Sequence, residues 1–258
     1  MITIQQIERL RSSFYNSFSI QWAQLLFKEA QPYINALNDP NSIGYIESIP
    51  INTKDIQTLF LKTWILPGRF FGKQTALEYH KSISLNIRTK GIEDDYFDQY
   101  MFDFALNNAG ERITSIASTN REAILKTIQQ SLLECEKQGM GAIDMARYIQ
   151  DQLKEQMTII SRYNAERIAR TEIVGASNRG QLLGAQSLGY TMQKFWMPFI
   201  DSATRTFEKG PFNHAIEETV GIYDDYVKTG EPMQHPGDPK GSAGNVINCR
   251  CSQGFKVL

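Results

Sequence analysis

The sequence predicts an α+β fold, with a mostly α-helical N-terminal two-thirds followed by a small C-terminal α+β domain holding a short antiparallel sheet. Two observations carry this. Apolar residues recur at steps of three and four through most of the chain, the period of a buried helix face. After Gly189 the texture changes to short aromatic or β-branched runs separated by Gly and Pro.

The first region, residues 3–37, places Ile4, Ile7, Leu10, Phe14 and Phe18 on one helical stripe, and Pro32 is expected to kink or divide it. The Asn-, Pro- and Gly-containing run 38–52 reads as a connection. A second helical region starts near Thr53 and is expected to break at "LPGR" (66–69). A third, around "EDDYFDQYMFDFALNNAG", is expected to end at Asn107–Gly110. Thr119 followed by Glu122 then fits a capping box opening a new helix, which Gly139 and Gly141 should stop. "AIDMARYIQDQLKEQM" is amphipathic, with Ile143, Ala146, Ile149 and Leu153 on one face.

From Ser161 the pattern predicts a long helix whose stripe contains Ala165, Ile168, Ala169, Glu172, Ala176, Gly180 and Leu183. Its small residues allow close approach of another element. Its carboxylate, Glu172, needs a cationic or N–H partner if buried, and Arg205 or Arg250 is the expected one. "YTMQKFWMPFID" and "NVINCRCSQGFKVL" read as strands, joined by a loop-rich segment.

Bulk properties narrow the function. The 258 residues carry a net charge of -1, so no overall field draws the chain to nucleic acid. Three cysteines (Cys135, Cys249, Cys251) argue against a disulfide framework and for synthesis in a reducing compartment. No signal peptide and no membrane-spanning run is expected.

The C-x-C near the end leaves two readings open. In an extended strand Ile247, Cys249 and Cys251 share a face, so the thiols are either small core residues or, with His214 and His235, a Cys2His2 zinc set. No nucleophile motif surrounds either cysteine. Asp201, Arg205 and His214 have the residue types of acid–base machinery, but such a set also serves to hold an irregular loop. "GDPKGSAG" lacks phosphate-loop spacing and predicts tight turns instead.

The order of motifs is more specific than any one of them. An Ala169-Arg170-Thr171-Glu172 helix with a following Asn178 comes first. Trp196 and Asp201 then lead to Arg205 and His214, and the run closes with Pro236-Gly237-Asp238 and Asn248-Cys249-Arg250-Cys251. This succession resembles the phage Mu-type minor head proteins, the phage head-morphogenesis domain family, departing from it in a longer run between Arg205 and His214. The resemblance implies a head-morphogenesis domain over 111–258 preceded by a helical region over 1–110 that makes portal or assembly contacts. It further implies a non-enzymatic minor capsid protein of a tailed phage or prophage, made in the host cytoplasm and placed at the portal vertex of the virion in several copies. Its expected partners are the portal protein, scaffold or major capsid protein, and packaged DNA, with no membrane and no cofactor. The alternative carried by the residues is a small zinc-dependent, nuclease-like enzyme using His214, His235, Cys249 and Cys251.

Overall fold

A computed structural model describes residues 3–39, 45–83 and 94–258. Five helices come first: α1 (Ile4–Lys28), α2 (Gln31–Ala36), α3 (Thr53–Ile83), α4 (Asp94–Lys137) and α5 (Ala142–Gln186). They are followed by β1 (Met192–Met197), β2 (Thr219–Gly221), the single-turn α6 (Ala243–Val246) and β3 (Ser252–Val257). The fold is the mostly helical α+β expected, and its sheet is antiparallel throughout in the order β2-β1-β3. Among the described residues no helix is long and apolar enough to cross a membrane.

Local chemistry explains several boundaries. Pro32 lies in the first turn of α2, where its missing N–H costs nothing, and so divides the first helical region as expected. Gly139, at φ 64°, ends α4 in the left-handed conformation that glycine adopts without strain. Part of the expected connection 38–52 falls on residues 40–44, outside the described residues.

Four expected helix boundaries are corrected. Pro67 lies inside α3, which runs on through 66–69. An interior proline costs roughly 3 kcal/mol, and the burial of Trp64, Phe71 and Ala76 on either side offsets it. Helix α4 likewise continues through Asn107–Gly110, and Thr119 is a mid-helix residue rather than a cap. The buried positions Ala105, Ala109, Ile113, Ala117, Asn120, Ile124 and Ile128 keep the helical period unbroken, and this pattern prevails over the local stop and start signals. The two stretches after Gly141 fuse into the single helix α5.

The chain folds into two compact units, each assembled from separated segments. One comprises 18–60 and 109–168, and among its described residues the regular structure is helical. Its core joins Tyr33, Ile34, Leu37, Ile128, Cys135, Ile149, Leu153 and Met157. Burial pushes the Cys135 thiol pKa up. The Asn120 amide nitrogen donates to the Leu26 carbonyl at 3.1 Å, while its buried Oδ1 has no hydrogen-bond partner among the described residues.

The other unit comprises 1–17, 61–108 and 169–258 and carries the sheet and all the sequence motifs. Its axis is the C-terminal part of α5, where residues 171–185 are buried without a break. Gly180 and Gly184 let α3 touch the α5 backbone: a Cβ on Gly180 would lie 2.1 Å from the Gly68 carbonyl oxygen, and one on Gly184 2.2 Å from that of Gly72. The small residues of the stripe therefore do allow a close approach. Strand β1 alternates inward and outward, with Met192, Lys194 and Trp196 buried. Lys194 Nζ donates to the Gln234 carbonyl at 2.5 Å and lies over the Tyr226 ring. Burial lowers its pKa to about 8.

Candidate functional site

The motif residues meet around the buried stretch of α5. Asn178 is the junction. Its amide donates to the carbonyl oxygens of Pro236 (2.9 Å) and Cys251 (3.1 Å), so one side chain joins the α5 motif to the Pro-Gly-Asp turn and to the closing Asn-Cys-Arg-Cys run. Asn178 Oδ1 accepts from Arg11 Nη2 at 3.0 Å and from Ser252 Oγ at 3.1 Å. Every bonding direction of this fully buried amide is thus used.

Each remaining motif residue has a geometric reason. Gly237 has φ 76°, and a Cβ there would lie 3.0 Å from the Gly175 backbone, so only glycine fits without strain. Asp238 accepts the Gln234 and Lys240 N–H groups at 2.8 and 3.0 Å, holding the turn. Burial opposes its ionisation, but the adjacent His235 and these N–H bonds prevail and hold its pKa below the ordinary value. Asn248 has φ 58°, a conformation that asparagine tolerates better than other side-chain-bearing residues, and its N–H donates to Thr171 Oγ1 at 3.1 Å. Trp196 Nε1 donates to the His214 carbonyl at 3.2 Å, and its ring meets the His214 and Tyr226 rings edge to face. Arg205 donates to the Ile247 carbonyl. Arg170 is exposed and lies outside this network.

The expected partner of Glu172 is corrected. Glu172 Oε2 accepts the Trp64 indole N–H at 2.8 Å. Arg250 pairs with Asp201 and stacks over Phe199, with 4.6 Å from its guanidinium carbon to the ring centroid. That pairing, first through its hydrogen bond, holds the Asp201 pKa low. Arg250 is partly exposed and engaged by Asp201, whereas the cysteines on either side of it are buried.

Cys249, Cys251 and His214 come together, each about 2% exposed. His214 Nδ1 is 3.5 Å from Cys249 Sγ and 3.7 Å from Cys251 Sγ. His214 Nε2 lies 2.6 Å from Asn245 Oδ1, while the Asn245 amide nitrogen donates to Glu231 Oε2 at 3.1 Å. The Glu231 carboxylate can only accept, so Asn245 must turn its oxygen to the imidazole. That fixes the proton on Nε2 and leaves the Nδ1 lone pair facing both sulfurs.

The three groups titrate together. Burial disfavours protonation of His214, but its bonds to Cys249 and Asn245 outweigh this and its pKa is raised. Cys249 is pulled well below an ordinary thiol by its bond from Cys251, with His214 adding to the effect. Cys251 is pushed well above by that same neighbour. These thiols do face the core, packed with Val174, Trp196, Tyr226 and Val246. The strand itself starts only at Ser252, so a turn after α6 rather than a β pleat aligns them.

His235 does not join this cluster, which corrects the four-residue set. It is fully buried elsewhere, with Nδ1 3.2 Å from the Pro236 carbonyl and its ring against Phe104. Burial lowers its pKa to about 4.

Arg11 and Asn245 are the functional residues that motif reading missed. Arg11 is fully buried and donates to Ser177 Oγ (2.7 Å), Glu8 Oε1 (2.8 Å) and the Arg250 and Cys251 carbonyls (3.3 Å each), besides Asn178. Its position in α1 was the available signal, because Arg11 falls four residues after buried Ile7 and seven before buried Phe18, on the apolar face. Compared with models of known protein families, with curated proteins and with solved structures, the chain finds no match in any of the three.

Proposed function

We propose that this chain is a minor head protein of a tailed phage or prophage, acting at the portal vertex in head assembly, DNA packaging or ejection without catalysing a reaction. The observation that carries the reading is the bonding of Asn178 to Pro236 and Cys251, which joins the motifs of the resemblance through one buried side chain. Residues retained for catalysis present themselves to a substrate; these residues bond to one another. Asp201 is engaged by Arg250, Arg205 by a backbone carbonyl, and Asp238 by two backbone N–H groups. A nuclease built on His214, Cys249 and Cys251 would have to bring a phosphodiester to atoms that are about 2% exposed.

The near-zero net charge supports docking on protein surfaces rather than coating DNA. Co-expression with its cognate portal protein tests the proposal. The expected result is co-purification of the two proteins and recovery of this chain from assembled heads. Absence of the complex, together with heads that lack the chain, overturns it.

A further inference from the structure

We propose that His214, Cys249 and Cys251 form a zinc site that clamps the turn after α6 onto the loop preceding β2. The three ligand atoms lie within 4.8 Å of one another. With zinc–sulfur bonds of about 2.3 Å and zinc–nitrogen bonds of about 2.0 Å, a tetrahedron requires N···S edges of about 3.5 Å. The observed edges are 3.5 and 3.7 Å. Both N···S edges thus already have the length a zinc tetrahedron needs.

Three further features suit a metal. The imidazole is held in the tautomer that a ligand needs, with Nδ1 bare toward the sulfurs and Nε2–H given to Asn245, itself anchored by Glu231. That chain of outer bonds orients a metal-bound histidine. Two thiolates and a neutral imidazole cancel the charge of a divalent ion, so a buried complex carries no net charge to desolvate. Two sulfurs and a nitrogen favour zinc over magnesium or calcium, which take oxygen ligands. Binding displaces the two thiol protons to solvent.

The gain is a cross-link between segments 35 and 37 residues apart. It requires neither a disulfide nor an oxidising compartment. It does not depend on the role proposed for the particle.

The test uses the full chain, purified without a histidine tag under reducing conditions. Metal analysis is expected to find about one zinc per chain. Cobalt(II) added to the metal-free chain is expected to give tetrahedral visible bands and a thiolate-to-cobalt charge-transfer band. Cys249→Ser and Cys251→Ser should abolish that band, whereas Cys135→Ser and His235→Gln should keep it. Asn245→Leu, which removes the bond that orients His214, should weaken cobalt binding about ten- to a hundredfold. A folded wild-type chain that contains no zinc and shows no cobalt–thiolate band overturns the proposal, even if every cysteine variant misfolds. Cobalt binding that survives loss of both Cys249 and Cys251 overturns it too.

Discussion

Arg11 donates through Nη2 to the side-chain oxygen of Asn178 at 3.0 Å, with both residues fully buried. A helix near the start of the chain thus supplies the cation that organises the motif-bearing unit. Arg11→Met would strand the acceptors on Ser177, Asn178, Arg250 and Cys251 in a dry interior. The expected loss is about 3–5 kcal/mol of unfolding free energy, read by urea denaturation. Arg9→Met, at an exposed position two residues away, should change it by less than about 0.5 kcal/mol.

The contact of α3 with α5 yields a paired prediction on glycine. Gly180→Ala would drive a methyl group into the Gly68 carbonyl and should cost about 1–3 kcal/mol by overpacking. Gly110→Ala, mid-helix in α4 with nothing within 4 Å of the new methyl, should instead stabilise by about 0.5–1 kcal/mol. Thermal melts of the two variants against the parent should move in opposite directions.

Acidification should weaken the fold through His235. Its pKa is 6.5 as a free side chain and about 4 when buried, so the unfolded state binds more protons between those values. The stability contributed by neutral His235 is complete above pH 6.5 and is lost as pH falls toward 4, at up to about 1.4 kcal/mol per pH unit. Asp238, with a lowered carboxyl pKa, acts in the same direction at lower pH, while His214, with a raised pKa, acts in the opposite one. Urea midpoints at pH 7 and 4.5 should therefore separate more widely for wild type than for His235→Gln.

Asn248 tests the turn that aligns the cysteines. At φ 58°, Asn248→Gly should be tolerated, while Asn248→Val should cost about 1–2 kcal/mol through backbone strain. The readout is again the urea midpoint, and equal midpoints for the two variants would remove strain as the reason for asparagine here.

How legible all this was in the sequence depended on the range of the interaction. The helix-then-sheet order followed from periodicity, and Pro32 and Gly139 acted where local sterics said they would. Pro67, Gly110 and Thr119 misled because their signals are local and weak against a buried stripe that continues across them. Strand β2 is only three residues long and was hidden in a run that reads as loop. At the site, C-x-C spacing pointed to paired thiols, but no spacing rule could select His214 over His235, since that choice rests on contacts spanning more than thirty residues. Arg11 was hidden by residue type, because an arginine in a helix reads as solvated until its acceptors, far along the chain, are known.

The reach of Arg11 has a consequence for biosynthesis. Its acceptors include the carbonyls of residues 250 and 251 and the hydroxyl of Ser252, which lie 239 to 241 residues further along the chain. A nascent polypeptide on the ribosome holds this guanidinium through the synthesis of the 239 to 241 residues that separate it from the groups that will enclose it. The motif-bearing unit can therefore close only after Ser252 has emerged from the exit tunnel. Until then α1 must stay hydrated at Arg11, and truncated products ending before Cys249 should remain protease-sensitive.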